Sequence, residues 1–151
     1  MKPCTHSHHH CISEALSQAE TFCARQGLRF TDLRRKVFEI IWQSHKAMTA
    51  ADVMAKLDNN QPPTTYRALE FLESNSLIHR VAALNAFVGC IHPNEEHISQ
   101  LFICEDCRNV TEVISPELGK LIDKEAKHQS FHIRERHLEL LGRCHTCAKA
   151  A

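Results

Sequence analysis

Phe102-Ile103-Cys104-Glu105-Asp106-Cys107, answered near the other end of the chain by Cys144-His145-Thr146-Cys147, is the stretch whose reading decides the fold. Two Cys-x2-Cys knuckles supply four thiolates, enough to close a tetrahedral zinc site with no open position. The 36 residues between Cys107 and Cys144 are more than a minimal ribbon needs, so the site must enclose a strand-helix-strand segment and pin its ends together. Binding free energy at a closed site is folding free energy, which makes Cys104, Cys107, Cys144 and Cys147 a structural centre. The alternatives are a redox pair or a set of buried thiols. A redox Cys-x2-Cys wants a βαβ context, which the residues around neither knuckle provide.

Composition points the same way. The chain has 151 residues, which fits one large domain or two small ones. Eight cysteines with no N-terminal apolar stretch, and no run long enough to span a bilayer, favour metal binding in a reducing, cytoplasmic setting over disulfides. Twelve histidines agree with metal chemistry. Net charge is zero, so bulk charge neither argues for nucleic acid nor excludes it. Its distribution is more informative. Between residues 25 and 36 stand Arg25, Arg29, Arg34, Arg35 and Lys36 against Asp32 alone. Such a patch contacts phosphates, or is simply a solvated helix face.

Ahead of the knuckles the pattern is helical. Residues 1–12 read as a disordered tail rich in His and Cys, with at most weak metal binding. Ser13 is expected to cap a first helix carrying Ile12, Leu16, Ala19 and Cys23 inward, with Gly27 ending it. Thr31 caps a second, with Leu33, Val37, Ile40 and Ile41 inward. Thr49-Ala50-Ala51-Asp52 resembles a capping box and opens a short third helix. A fourth is expected from Thr64 or Thr65, with Leu69 and Leu72 inward and Tyr66, Arg67 and Glu70 on other faces. Strands over 77–81 and 86–91 flank Ala83-Leu84-Asn85. Short helices followed by a hairpin spell a winged helix-turn-helix whose fourth helix would enter the major groove. Beyond residue 87 come short strands at 101–103 and 110–114, a helix from Pro116 to His128 with Leu118, Leu121, Ile122 and Ala126 inward, and a strand over 131–141. Neither half buries a generous core alone; a structural metal and dimerisation are the usual remedies.

Pro62-Pro63-Thr64-Thr65-Tyr66-Arg67-Ala68-Leu69, followed by the wing and by Phe102-Ile103-Cys104-Glu105-Asp106-Cys107, resembles the ferric uptake regulator family. Arg29-Phe30-Thr31-Asp32-Leu33-Arg34 is similar to that family's approach to its second helix. The family often has Pro-Gln where Asp32-Leu33 stands and Val where Thr65 stands. The resemblance runs from about residue 13 to 147. It implies an α+β chain, with a winged-helix DNA-binding domain at 13–84, a hinge at 85–90, and a small α/β dimerisation and metal-binding domain at 91–151. It further implies a homodimeric, metal-dependent repressor, not an enzyme, with double-stranded operator DNA as partner and neither a membrane nor a small organic substrate.

Iron and peroxide sensors of the family carry a His-rich cluster before the first knuckle, where this chain has His92-Pro93-Asn94-Glu95-Glu96-His97 with Cys90 upstream. A thiolate favours zinc over hard Fe(II). The pattern resembles the zinc uptake regulator branch, whose regulatory ligands fall here on His79, Cys90, His97 and Glu112, with His92 competing for the third place. Taken singly, His79 reads equally well as a solvent-facing strand residue, Glu112 as a polar edge position and Cys90 as a buried thiol. The resemblance thus implies two zinc ions per subunit, one structural and one regulatory. His132, His137 and His145 form an additional weak site or none. Arg67 is the candidate for base reading, because Arg makes a bidentate pair to guanine; Tyr66, Thr64, Arg29, Arg34, Arg35 and Lys36 are the candidates for phosphate. Rival readings are an iron or peroxide sensor, a zinc storage or transfer protein, and a zinc hydrolase, though no general base is paired with a nucleophile.

Overall fold

Ile12, Ala15, Leu16, Ala19 and Cys23 form one buried stripe along helix α1 (His8–Arg25). The computed structural model describes residues 8–44, 46–57, 62–91, 93, 100–134 and 136–149. No breaker stands between His8 and Ser13, so α1 starts five residues earlier than the expected Ser13 cap and takes up part of the stretch read as a tail. It ends as expected at Gly27, whose φ of 65° lets Leu28 N donate to Cys23 O at 2.8 Å and Gly27 N to Ala24 O at 3.2 Å. Helix α2 (Asp32–Ser44) follows, with Thr31 Oγ1 accepting from Arg34 N at 3.4 Å. Its Val37, Phe38, Ile40 and Ile41 are buried.

Strand β1 (Met48–Thr49), too short to leave a period in the sequence, runs into helix α3 (Ala50–Lys56). The capping box is complete: Asp52 N donates to Thr49 Oγ1 at 3.1 Å, and Thr49 N to Asp52 Oδ2 at 2.9 Å. Hydrogen bonds from Thr49 hold the Asp52 carboxyl below its ordinary value of 3.8. A lowered folded-state pKa contributes stability that is present above 3.8 and lost as pH falls through the folded value. Thr49→Ala should cost about 1 kcal/mol, read as a lower urea midpoint at pH 7; an unchanged midpoint would remove the box from the stabilising contacts.

Helix α4 (Pro62–Ser74) begins at Pro62 rather than at Thr64 or Thr65, because prolines are tolerated in a first turn whose N–H groups have no helical partner. The wing is β2 (Ile78–Val81), a 3-10 turn (Ala82–Leu84) closed by Asn85 at φ 45°, and β3 (Ala86–Gly89). β3 pairs antiparallel with β2 on one side and with β1 on the other. Residues 86–89, inside the expected hinge, therefore form the central strand of this sheet.

The second sheet has the order β5-β4-β6. β4 (Gln100–Cys104) and β5 (Val110–Val113) are antiparallel, while β6 (Leu138–Gly142) returns parallel to β4 after helix α5 (Pro116–His128). Ser115 caps α5, accepting from Leu118 N at 3.3 Å. β6 is shorter than the strand expected over 131–141; among the described residues its pairing with β4 runs from Leu138 to Gly142. Leu121, expected inward, is 61% exposed, and Gly119 is the one buried residue of α5. A last turn, α6 (His145–Lys149), carries the second knuckle.

Two buried clusters result. One lies among α1 to α4, with Phe38 edge-on to Phe30 and against Trp42. The other joins Ala47, Val81, Ala86 and Val88 of the winged-helix part to Leu101, Ile103 and Val110 of the second sheet. The wing thus packs its apolar face on β4 and β5, and Ala47 N donates to Arg108 O at 3.2 Å across the same seam.

Candidate metal centres

The first centre is built by the second sheet. Cys104 ends β4 and is paired in register with Gly142 of β6, so the strand ends carry both knuckles to one place. Glu105 N donates to Gly142 O at 2.9 Å, and Arg108 N turns back to Cys104 O at 2.9 Å with φ of 58°. The four sulfur atoms of Cys104, Cys107, Cys144 and Cys147 lie within 4.8 Å of one another. Cys107 Sγ is 3.8 Å from Cys144 Sγ. Zn–S bonds of about 2.3 Å in a tetrahedron set sulfurs about 3.8 Å apart, so the donor set fits zinc. Backbone N–H groups of Cys107 and Cys144, the latter 3.3 Å away, hold the Cys104 thiol down to about 6. The neighbouring Cys144 and Cys107 sulfurs push Cys147 up to about 12. Without a cation, four sulfurs this close cannot share their negative charge. Asp106 and Arg143 pair outside the cluster at 3.1 Å.

The second centre lies in the seam. His79 comes from β2, Cys90 from the residue after β3, and Glu112 from β5; one donor atom of each lies within 4.8 Å of the others. His79 Nε2 is 2.8 Å from Glu112 Oε1, and Ile91 N donates to Glu112 Oε2 at 3.1 Å. Cys90 is 1% exposed and Glu112 is buried. A buried carboxylate needs paired charge or hydrogen bonds, and here it has both an imidazole and an amide. Gly89 sets the strand's approach: a Cβ there would stand 2.6 Å from the Trp42 ring, so a glycine lets the end of β3, just before Cys90, lie against α2. Imidazole, thiolate and carboxylate in one half-buried site suit zinc, with one tetrahedral position left for a fourth donor. The expected third ligand, His97, lies outside the described residues, as does its competitor His92. His132, His137 and His145 join no metal-ligand group among the described residues.

On α4, Tyr66 is 54% exposed and Arg67 is exposed, while Thr64 is half-buried. Arg29 and Lys36 are exposed too. Arg34 and Arg35 have internal partners: the Arg34 guanidinium lies 3.5 Å over the Phe71 ring and donates to Arg29 O, and Arg35 pairs with Glu20. A feature that sequence reading missed is Glu139 of β6, which accepts from Ala82 N at 2.6 Å and Ala83 N at 2.8 Å in the wing's turn. These contacts join residues more than fifty positions apart, and no local pattern marks them.

Residues 25–141 match the model of the ferric uptake regulator family. The chain belongs to that family. The zinc uptake regulation protein of Escherichia coli (strain K12) is 31% identical over 141 residues, covering 90% of this chain and 82% of that one. A ferric uptake regulation protein of Staphylococcus epidermidis is 26% identical over 132 residues, covering 83% and 91%. Among solved members, a zinc uptake regulator complexed with zinc and DNA superposes with a TM-score of 0.85 at 30% identity, covering 92% of this chain and 96% of that one. Holo XcZur gives 0.83 at 32% identity, covering 89% and 96%. Apo XcZur, at 30% identity and covering 91% and 97%, gives only 0.53. At nearly equal identity the chain has the arrangement of the holo form of this family member rather than of its apo form.

Proposed function

We infer that this chain is a zinc-responsive DNA-binding repressor that binds operator DNA as a homodimer in the cytoplasm and controls zinc-uptake genes. The observation that carries the reading is the donor set His79, Cys90 and Glu112, drawn from both sides of the seam between wing and second sheet. His79 brings the wing, Cys90 the end of β3, and Glu112 the sheet that bears the four-cysteine centre. When bound, zinc supplies tetrahedral coordination that accepts nitrogen, sulfur and oxygen together. Held at one point, the three donors fix the angle between α4 and the second sheet. His97 supplies the fourth donor, which makes two zinc ions per subunit, one held permanently by the four cysteines and one exchangeable. Better superposition on the holo than on the apo form of XcZur supports this arrangement of wing and second sheet as the zinc-bound one.

The winged-helix unit ends in the wing, and the following sheet with α5 is the dimerisation unit. Phe102 is 48% exposed and Leu140 40%, side by side on the outer face of the second sheet, and α5 leaves Leu121 uncovered. A second copy of the chain covers this apolar face. Two α4 helices must then sit about one helical turn of DNA apart, roughly 34 Å. The domain angle sets that distance, and with it the zinc dependence, because the competent arrangement is otherwise only one of several populated.

A gel shift of genomic fragments, run with zinc and with chelator, tests the whole reading. Retardation in zinc and none in chelator is expected; binding that survives chelator would overturn it, and so would zinc loading with no binding at all, the outcome for a storage protein. Arg67→Ala should weaken specific binding by roughly 1–3 kcal/mol per half-site and relax base preference at one position. Arg29→Ala should weaken all sequences alike and lower the salt slope by about one. If the two variants behave identically over a series of altered operators, the sorting into reader and positioner is wrong.

A further inference from the structure

Leu101 of β4 is paired in register with Glu112 of β5 on one side and with Glu139 of β6 on the other. Residues directly opposite one another across strands share a face, so both carboxylates flank the buried Leu101 on the side that meets the wing. Glu112 reaches His79 on β2. Glu139 reaches the next segment along, its two oxygens accepting from Ala82 N at 2.6 Å and Ala83 N at 2.8 Å. The wing is therefore gripped at two places by one row of the second sheet. Only the first grip involves a metal ligand. A single point of attachment is a pivot; two points, one on the strand and one on its turn, also fix rotation about it.

The turn itself suits this use. Val81-Ala82-Ala83-Leu84-Asn85 has no basic side chain with which to meet phosphate, and the Ala82 and Ala83 amides that could bind an anion are taken by Glu139. The Glu139 carboxylate accepts two charge-assisted hydrogen bonds, the stronger kind. They need no metal.

We propose that Glu139 is a positioning residue that docks the wing's turn on the second sheet independently of zinc, and so sets how much zinc is needed before operator is bound. The proposal rests on the reading of His79, Cys90 and Glu112 as the regulatory site. Its consequence follows from linkage. If the docked arrangement makes up a fraction of the metal-free protein, apparent affinity for the regulatory zinc falls in proportion as that fraction falls. Removing Glu139 lowers the fraction but leaves every metal donor in place. Enough zinc should then restore the docked state.

The test uses the full-length zinc-loaded dimer and operator DNA, titrated with buffered zinc. Glu139→Ala should raise the zinc midpoint of operator binding by roughly 5- to 30-fold, the loss of two charge-assisted hydrogen bonds at an exposed site. Operator affinity at saturating zinc and the content of tightly held zinc should match the parent. Glu139→Gln retains one acceptor oxygen and should fall between the two. Hydrogen exchange gives a readout that does not depend on zinc sensing. The Ala82 and Ala83 amides should exchange faster in Glu139→Ala with and without chelator, while β2 and β3 ladder amides stay as in the parent. An unchanged midpoint, or unchanged exchange at Ala82 and Ala83, would overturn the proposal. Loss of the tightly held zinc in both Glu139 variants would also overturn it, by making the residue a plain part of the fold. If instead the parent shows no zinc response while Glu139→Ala still speeds exchange at Ala82 and Ala83, the regulatory-site reading fails and the docking contact stands.

Discussion

Cys104→Ser is expected to strip the protein of its tightly held zinc and to unfold the part that follows residue 100. Cys104 is the last residue of β4, the strand that pairs with both β5 and β6, and its sulfur also accepts from Cys144 N. Serine leaves three thiolates, which cannot complete the tetrahedron. Structural zinc sites contribute roughly 10–16 kcal/mol of apparent binding free energy at neutral pH. That equals or exceeds the roughly 5–15 kcal/mol that separates a folded domain from its unfolded chain. On its outer face the second sheet has little else to hold it: Leu140, Leu141 and Phe102 are exposed, and α5 buries only Gly119. Metal analysis of chelator-washed protein should show the loss of one zinc per subunit, and sedimentation the loss of the dimer. A folded dimer with the parent's zinc content would sink the structural assignment of the four cysteines.

Cys90→Ser should leave that centre intact and abolish the zinc response. Cys90 follows β3, on the far side of the seam from the four cysteines, and serine matches its shape in a buried position. A serine hydroxyl is a poor zinc ligand at neutral pH, so the regulatory set loses its thiolate while His79 and Glu112 keep their contact. The variant should fold, dimerise and retain its tightly held zinc. It should fail to bind operator at zinc concentrations that saturate the parent, a shift of two or more decades if the thiolate contributes about 3 kcal/mol. An operator titration in buffered zinc, beside metal analysis of the washed dimer, makes the measurement. A midpoint equal to the parent's would return Cys90 to the class of buried thiols. The contrast with Glu139→Ala is one of size: zinc roughly 30-fold above the parent's midpoint should rescue the docking variant but not the variant that lacks a ligand.

Much of this is legible in the sequence. The Cys-x2-Cys knuckles are local patterns whose chemistry admits few readings, and the second sheet brings all four sulfurs to one place. Helices α2 and α3 follow from caps at Thr31 and Thr49, α5 from Pro116 at its first turn, and α2 and α3 also from apolar residues at helical spacing. The misreadings have local causes of their own. α1 begins at His8 because nothing in the sequence stops it there, and α4 takes in two prolines that looked like its boundary. Periodicity put Leu121 inward because it assumes that an apolar helix face is covered within its own chain. Leu121 on α5, and Phe102 and Leu140 on the outer face of the second sheet, are the apolar surface a dimerising unit would leave in a single copy.

Residue type and spacing alone thus determine which side chains are able to bind zinc, that helices occupy these stretches if not where each begins, and that a winged-helix unit precedes a sheet with four clustered cysteines. Tertiary structure decides which of those side chains meet. Glu112 lies against His79, and Glu139 against the Ala82 and Ala83 amides, because β4 pairs at Leu101 with both. A slip of one residue in either pairing would turn that carboxylate to the opposite face, with no change in composition or local pattern. Likewise no spacing in the sequence shows that Arg34 lies on Phe71 of α4 or that Arg35 pairs with Glu20 of α1. Strand register and helix packing join residues tens of positions apart, and the physical reason they escape a linear reading is that burial is encoded locally whereas the choice of partner is not.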